Sequence, residues 1–329
     1  CYRPGGAADF TCDDLPPPAT PLGATSVVAG AIPATAATER GLEYYLFFEE
    51  TGESESTVLT FPATAPREAP SQIRVRFGAL QAGGEFAPET YRMISVPASL
   101  DDPVVGSVLV DDYGPPDITA WRLVRWNPAA GAYEDIQDPD ARLPPGRAYF
   151  LISRTGTAFD TGAGRSADLQ LPVTLTLSPG WHQIASPFAF PVAWSSVEGA
   201  DRVEGPFLFD GEGGFIPNQT TLDPWNGYFV LNETPEPVVL RLPARPARSS
   251  PQTAAPAARA AGSGYALTLS VVLPDGRRDV HNRVGTHAHA EDGRDPLDAS
   301  EPPPIGAHVR LSVREGERRL AHSFRAPSE

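Results

Sequence analysis

The chain has 329 residues, of which 41% are hydrophobic, 30 are glycine and 37 are proline, and this density of turn residues favours many short strands over long helices. Its net charge is −15 and its 26 basic residues are all arginine, so an acidic surface argues against nucleic-acid or anionic-membrane partners. The lack of lysine excludes Schiff-base and P-loop chemistry, and the lack of a long apolar run excludes a membrane-spanning helix.

Residues 1–24 are predicted to form an extended, proline-rich lead-in, with a proline run at Pro16-Pro17-Pro18. Cys1 and Cys12 are the two cysteines of the chain, and the glycine pair between them allows a tight loop. We favour a disulfide between the two cysteines, which requires an oxidising compartment. The alternative is a lipid on the terminal Cys1, which would leave Cys12 unpaired.

Residues 25–82 contain four strand candidates, at 25–33, 42–50, 56–63 and 71–78, each bounded by turn residues. The sequence from Gly41 to Tyr45 is similar to a late strand of immunoglobulin-like or fibronectin type III domains, where a tyrosine anchors its hydroxyl on nearby backbone. Such a domain needs about seven strands. We therefore expect a partial β-sandwich, in a chain that begins inside a longer protein.

An internal repeat spans the middle of the chain. Residues 91–97 align with 181–187, residues 126–133 with 209–215, and residues 143–151 with 222–230, in the same order. Each block is an aromatic-rich strand candidate followed by a glycine or proline turn. Between the copies, residues 171–178 alternate apolar side chains with small polar ones, which predicts a strand with one buried face. We therefore predict two related β units, at 88–170 and 171–242, packed face to face.

Residues 243–263 are rich in proline, alanine, arginine and serine and are predicted to be a linker. Residues 264–329 follow as a small β module, with strand candidates at 265–273 and 308–314. The whole chain is thus predicted to be all-β and to consist of serial β-sandwich-like modules: a partial first module, a duplicated unit and a small C-terminal module.

Two clusters near the C-terminus are candidate metal ligands. Asp292, Asp295 and Asp298 present carboxylates at three-residue steps, which suits a non-standard calcium loop because calcium takes several hard oxygen ligands. The alternative is an acidic turn whose carboxylates accept backbone hydrogen bonds. His287 and His289 have the spacing of two ligands on one strand face, and the alternative is a solvated polar loop. No other cofactor is expected.

Aromatic residues recur in both copies of the repeat, and Trp225 and Tyr228 are the candidates for stacking against a sugar ring. Because the rings recur beside prolines and glycines at equivalent positions, packing in a core or turn is the favoured interpretation. Asn218 and Asn232 begin Asn-x-Thr sequons and are candidate glycosylation sites on exposed loops. The chain contains no serine-hydrolase elbow, zinc-protease motif or glycine-rich phosphate loop, so no catalytic residue is assigned.

Several segments resemble, in this order, a recurrent β-rich region of large secreted proteins that the type IX system of Gram-negative bacteria exports: 41–45, 91–97, 121–123, 143–151, 180–188 and 224–228. Residues 290–295 and 301–303 are similar to the module that precedes the C-terminal sorting domain of those proteins. The resemblance implies an extracellular or outer-surface location and a role as a stalk or accessory region. It implies no activity.

We therefore expect a non-catalytic extracellular structural protein, such as a cell-surface stalk, sheath or filament component, whose partners are copies of itself or other surface proteins. The open edge of the partial sandwich supports this expectation, because an unpaired strand edge must be covered or paired. The alternatives are an adhesin that binds a glycan or a protein through exposed aromatic rings, and the accessory C-terminal region of a secreted hydrolase.

Overall fold

A computed structural model of the protein describes residues 1–15, 28–50, 57–83, 86–212, 214–247, 264–291, 293, 295 and 297–327. Of the residues, 41% are in strands and 6% are in helices, and the strands are distributed over many small sheets. The predicted all-β, multi-module fold is confirmed.

The first part of the chain forms a three-stranded sheet and a separate hairpin. Its strands are β1 (Tyr2–Pro4), β2 (Leu42–Tyr44), β3 (Leu46–Glu50), β4 (Thr57–Phe61), β5 (Ser71–Ile73) and β6 (Arg76–Phe77). The sheet has the antiparallel order β1-β2-β5, and β3 pairs with β4. A 3₁₀ turn at Ala34–Ala36 precedes β2.

Two sequence predictions for this part differ from the structure. Strand β1 lies in the predicted lead-in, because residues 2–4 pair with β2 and join the first sheet. The strand predicted at 25–33 is not seen: residues 28–33 form no strand, and residues 25–27 lie outside the described residues, as do residues 16–24.

The first β unit combines a four-stranded sheet with one helix. Its elements are β7 (Arg92–Ser95), β8 (Ser99–Leu100), α1 (Val105–Tyr113), β9 (Trp121–Asn127), β10 (Ala132–Asp135), β11 (Ala148–Ser153) and β12 (Gly164–Arg165). The main sheet has the antiparallel order β7-β11-β9-β10. A small sheet, β6-β12-β8, ties this unit to the first part of the chain.

Helix α1 is absent from the sequence prediction. Val105, Val108 and Leu109 lie on its buried face at helical spacing, and they pack into the core of the first unit. The helix ends before Gly114, whose φ of 78° suits glycine because it has no Cβ.

The second β unit repeats the arrangement of the first. Its strands are β13 (Val173–Leu177), β14 (Gly180–Ala185), β15 (Val192–Ala193), β16 (Glu204–Phe209), β17 (Phe215–Ile216), β18 (Thr221–Leu222), β19 (Gly227–Asn232) and β20 (Val238–Leu242). The main sheet has the antiparallel order β14-β19-β16-β17. In both units, the first strand of the main sheet therefore pairs with the fourth, the fourth with the second, and the second with the third.

The strands that flank each main sheet are also equivalent. In each unit, the strand that precedes the main sheet in the chain pairs with the strand that follows it. These pairs are β6 with β12 in the first unit and β13 with β20 in the second. Strand β15 pairs with β18, and 3₁₀ turns at Trp194–Ser196 and Ala200–Arg202 connect β15 to β16. Because β6 completes the first unit, this unit begins before the predicted boundary at residue 88.

The two units join through reciprocal backbone contacts related by a pseudo-two-fold axis. Four antiparallel contacts form equivalent pairs: Ile94 with Asn226, Ile184 with Arg147, Ser95 with Trp225, and Ala185 with Gly146. The backbone N–H of Ser95 donates to the carbonyl of Trp225 at 3.1 Å. In the equivalent contact, the N–H of Ala185 donates to the carbonyl of Gly146 at 3.0 Å. The duplication thus builds a two-fold junction inside one chain.

The buried apolar residues form three clusters. One lies in the first unit under α1, and one lies in the second unit. The third, here called the central cluster, draws on both main sheets and on the C-terminal module: Met93, Val124, Ala148, Phe150, Ala185, Phe207, Phe215, Phe229, Ala299 and Ile305. The two β units therefore have cores of their own and share the central cluster with the C-terminal module.

The C-terminal module is a mixed sheet that packs on the central cluster. Its strands are β21 (Ala266–Val272), β22 (Arg278–Thr286), β23 (Ala299–Ser300), β24 (Val313–Glu315) and β25 (Arg318–Arg325). The order is β21-β22-β25-β23, with β24 also on β25 and with β22 and β25 parallel. The Tyr133 hydroxyl donates to the carbonyl of Pro303 at 2.7 Å and fixes the module to the first unit.

The linker and one C-terminal strand differ from the prediction. Residues 243–247 extend the second unit, because Pro246 bridges Val192, and residues 248–263 lie outside the described residues. The strand predicted at 308–314 begins at Val313, and β22 lies between the two predicted strands, where no strand was expected.

Candidate functional site

The two aromatic residues proposed to stack on a sugar have packing roles in the structure. Tyr228 is fully buried, and its hydroxyl accepts a hydrogen bond from the backbone N–H of Asp223 at 2.8 Å. Burial raises the pKa of this tyrosine. The Trp225 ring meets that of Phe159 edge-on at 6.1 Å and packs against the core of the first unit. Tyr228 is therefore wrong as a stacking platform, because its ring has no open face.

The two sequons differ in accessibility. Asn218 is exposed in the loop after β17. Asn232 is buried, and its side-chain NH₂ donates to the carbonyls of Leu177 and Glu236 at 3.0 and 2.9 Å. Asn232 is therefore wrong as a glycosylation site on an exposed loop, since it is buried and a sugar on this nitrogen would replace one of the two N–H donors.

The acidic residues proposed to bind calcium accept hydrogen bonds from the backbone. Asp295 accepts from the N–H groups of Glu291 and Leu297, both at 2.7 Å. Asp298 accepts from the N–H of Phe324 at 2.9 Å. Asp292 lies outside the described residues. The described carboxylates thus have the geometry of an acidic turn.

A metal site is not assembled elsewhere in the part of the chain that the structure describes, where no three His, Cys, Asp or Glu side chains come together as ligands. His287 and His289 lie in a turn after β22, with their ring centroids 5.5 Å apart. The N–H of Ala290 donates to the carbonyl of His287, which forms this turn.

Cys1 and Cys12 are joined by a disulfide that closes the loop after β1. Inside the loop, Tyr2 bridges Thr11, and both backbone hydrogen bonds of this bridge are formed. The amino group of Cys1 donates to the carbonyl of Tyr45 at 3.0 Å, which holds the loop against the first sheet.

The largest exposed apolar feature of the first part of the chain is the hairpin β3–β4. Its register places Leu46, Phe48, Leu59 and Phe61 on one side, here called the hairpin face. Phe48 is 43% exposed, Phe61 53% and Leu59 64%. Apolar side chains with this exposure, contiguous on one sheet face, are typical of an interaction surface.

The hairpin is also unpaired at its edges. Among the described residues, β3 and β4 pair with each other and with no third strand, so each has an open row of backbone N–H and C=O groups. A two-stranded hairpin alone is marginally stable in water. Phe47 and Val58 on its opposite side are also about half exposed, so neither side has the cover of a core.

Two further features lie at the junction of the β units and form an equivalent pair. A cleft of about 940 Å³, here called the covered cleft, is lined by Met93, Phe209 and Asn226, with Ile305 and Gly306 of the C-terminal module. A cleft of about 600 Å³, here called the arginine cleft, is lined at the equivalent positions by Gln183, Trp126 and Arg147. The pseudo-two-fold axis thus relates the two clefts.

The chemistry of the two clefts differs. In the covered cleft, Asp210 accepts from the N–H groups of Glu212 and Gly214 and lies 3.2 Å from Nε2 of His281, and Glu212 pairs with Arg278. The arginine cleft contains three arginines and one carboxylate: Arg125, Arg142, Arg147 and Glu134. The hairpin face and the arginine cleft are absent from the sequence prediction of binding residues.

No protein-family model, curated protein or solved structure matches the chain. Among the described residues, none of the helices has the length and apolar character needed to cross a membrane. The functional interpretation therefore depends on the geometry of the chain itself.

Proposed function

We propose that the chain is a non-catalytic extracellular structural protein that associates with further copies of itself through the hairpin β3–β4. The observation that carries the proposal is the hairpin face, where Phe48, Leu59 and Phe61 are about half exposed beside two strand edges that are open among the described residues. Covering this face removes apolar surface from water, and pairing an edge satisfies its free backbone groups.

A second copy of the chain suits this surface. Identical strands related by a two-fold axis run antiparallel, so an edge strand of one copy can pair with the same strand of another. Leu46, Phe48, Leu59 and Phe61 are apolar, so a contact between two hairpin faces removes them from water. An isologous contact of this kind needs no other partner.

Two other observations support a scaffold outside the cell. The Cys1–Cys12 disulfide is typical of an oxidising compartment. The aromatic residues of the duplicated units pack on one another, as Trp181 packs on Phe207 and Phe229, and so serve as core material. Serial modules that share cores give a stiff particle suited to a stalk or filament.

Analytical ultracentrifugation of the full chain tests the proposal with Leu59→Ser and the double variant Phe48→Ser/Leu59→Ser. We expect the wild-type chain to form dimers through this isologous contact. Each buried leucine contributes about 1.5–3 kcal/mol and is used twice in an isologous contact, so the variants should associate at least about tenfold more weakly. Leu171→Ser is the matched control, because Leu171 is 65% exposed and lies outside the hairpin.

Circular dichroism should show the same strand content in all variants, since the substituted side chains are exposed. A wild-type chain that stays monomeric at the highest attainable concentration would exclude self-association. Association that survives the double variant, or that Leu171→Ser weakens as much, would place the contact elsewhere.

A further inference from the structure

The arginine cleft has unpaired positive charge in an acidic protein. Arg125 pairs with Glu134 at 3.1 Å. Within the described residues, Arg142 and Arg147 have no carboxylate partner, although acidic residues outnumber basic ones in the chain by 41 to 26. The guanidinium of Arg147 is partly buried and makes one long hydrogen bond, 3.4 Å from Nη2 to the carbonyl of Thr176.

The covered cleft shows that the fold does not require this charge. At the position of Arg147 the second unit has Asn226, and at the position of Gln183 the first unit has Met93. The reciprocal backbone contacts form equally well with both sets, since Ile94 bridges Asn226 as Ile184 bridges Arg147. The junction of the units therefore does not depend on the side chains of Arg147 and Gln183.

Two residues of the arginine cleft have buried donor groups without a partner among the described residues. The Gln183 side chain accepts from the N–H of Trp126 at 2.6 Å, but its buried Nε2 has no acceptor among the described residues. The buried Nε1 of Trp126 also has none. His182 adds no charge at neutral pH, because burial, reinforced by the charge of Arg147, lowers its pKa. Arg142 and Arg147 therefore favour a ligand that brings negative charge and acceptor oxygens.

The size of the cleft and the net charge of the chain further restrict the class of ligand that the cleft can bind. A cleft of about 600 Å³ has the volume of a small-molecule site and exceeds what a single inorganic oxyanion fills. A net charge of −15 repels a densely charged polymer, so the anion must be isolated on its carrier. Asn127 and Glu134 supply polar side-chain atoms that can hydrogen-bond to the hydroxyl groups of a sugar.

We infer that the arginine cleft binds an acidic sugar unit of a sparsely charged glycan, and that Arg142 and Arg147 bind its carboxylate or sulfate oxygens. This binding is separate from the proposed self-association, because the hairpin face lies on other strands. The chain would thus attach to a surface glycan through the duplicated units while the hairpin joins neighbouring copies.

Isothermal titration calorimetry of the full chain, at constant ionic strength, tests the inference with four probes: galacturonic acid oligomers, galactose 6-sulfate, neutral galactose oligomers and free sulfate. We expect the two acidic sugars to bind, with higher salt weakening both, and neutral oligomers and free sulfate to bind far more weakly. Binding of galacturonate alone would assign the carboxylate, and binding of the sulfated sugar alone would assign the sulfate.

Arg147→Gln and Arg142→Gln should each weaken acidic-sugar binding about tenfold or more, as expected when a charge-assisted hydrogen bond is lost. Arg147→Lys keeps the charge without the planar fork and should retain part of the affinity. Arg202→Gln is the matched control, because Arg202 is an exposed arginine of the second unit, and it should change the affinity less than twofold.

Three results would overturn the inference. One is the absence of acidic-sugar binding to the wild-type chain at millimolar ligand. Another is unchanged binding in the double variant Arg142→Gln/Arg147→Gln whose melting temperature matches the wild type. The third is equal binding of an acidic peptide, which would show that the cleft recognises the anion and not the sugar.

Discussion

Phe150 and Phe229 occupy equivalent positions in the two β units, and their ring centroids lie 6.3 Å apart in the central cluster. Phe150 also meets the rings of Tyr91, Tyr133 and Phe209 edge-on, at 6.1, 5.8 and 5.0 Å. Edge-to-face contacts of this kind add to the free energy of burial. The repetition of aromatic residues in the sequence is therefore explained by their repetition in the core.

A buried histidine should make the stability of the C-terminal module depend on pH. His322 in β25 is buried, and its Nε2–H donates to the carbonyl of His281 at 3.0 Å. Burial lowers the pKa of His322 to about 4, with Arg283 adding to the shift. Between about pH 6.5 and pH 4 the unfolded chain therefore binds more protons at this site, and the free energy of unfolding falls as the pH falls.

The expected loss across this window is on the order of 3 kcal/mol, since one unit of pKa corresponds to about 1.4 kcal/mol. Urea unfolding at several pH values, followed by circular dichroism, measures it. His322→Gln should flatten the curve relative to the wild type, while His308→Gln, at an exposed position, should leave it unchanged. Equal slopes for the wild type and His322→Gln would contradict the assignment.

At the scale of elements, the disulfide and strand β1 depend on each other. The loop from Cys1 to Cys12 has a sequence separation of 11, for which the chain-entropy estimate is about 3 kcal/mol. The double variant Cys1→Ser/Cys12→Ser should therefore loosen β1, which pairs with β2 through three residues. Hydrogen exchange should become faster in residues 2–4 and 42–44, with β19 in the second unit as the internal control. Unchanged exchange in β1 would mean that the sheet holds without the bond.

The elements that could be predicted are those with a clear sequence period. Strand β13 (Val173–Leu177) follows the strict alternation of its apolar residues, and Leu175 and Leu177 are buried as this alternation requires. Helix α1 was missed because its nine residues include a glycine and three valines, which are poor helix formers in isolation. Tertiary packing of Val105, Val108 and Leu109 outweighs that propensity.

At the scale of the whole molecule, the candidate binding surfaces could be predicted only in part. An open edge was expected in the first module, and among the described residues both strands of the hairpin have one. The arginine cleft could not be found from spacing, because Arg147 and Gln183 are far apart in sequence and meet through the pseudo-two-fold junction. An alignment of the two repeat copies does point to the arginine cleft, since it shows that Arg147 replaces Asn226 and that Gln183 replaces Met93.

The shared central cluster should make the chain unfold as one unit, in contrast to a string of independent modules. Ala299 and Ile305 of the C-terminal module pack against the aromatic rings of both β units. All five tryptophans lie between Trp121 and Trp225, so their fluorescence reports on the β units, whereas hydrogen exchange in β22 and β25 reports on the C-terminal module. Coincident transitions by the two probes are expected for cooperative unfolding.

The variant Ile305→Ala sharpens this test. It should lower the free energy of unfolding by about 2–5 kcal/mol, because it leaves a cavity in the central cluster. Both transitions should shift together, although Ile305 belongs to the C-terminal module. Val272→Ala in the same module is the control, because Val272 is exposed and its truncation should cost less than about 0.5 kcal/mol. If Ile305→Ala moved the exchange transition while tryptophan fluorescence stayed at its wild-type midpoint, the C-terminal module would be an independent domain resting on the duplicated units.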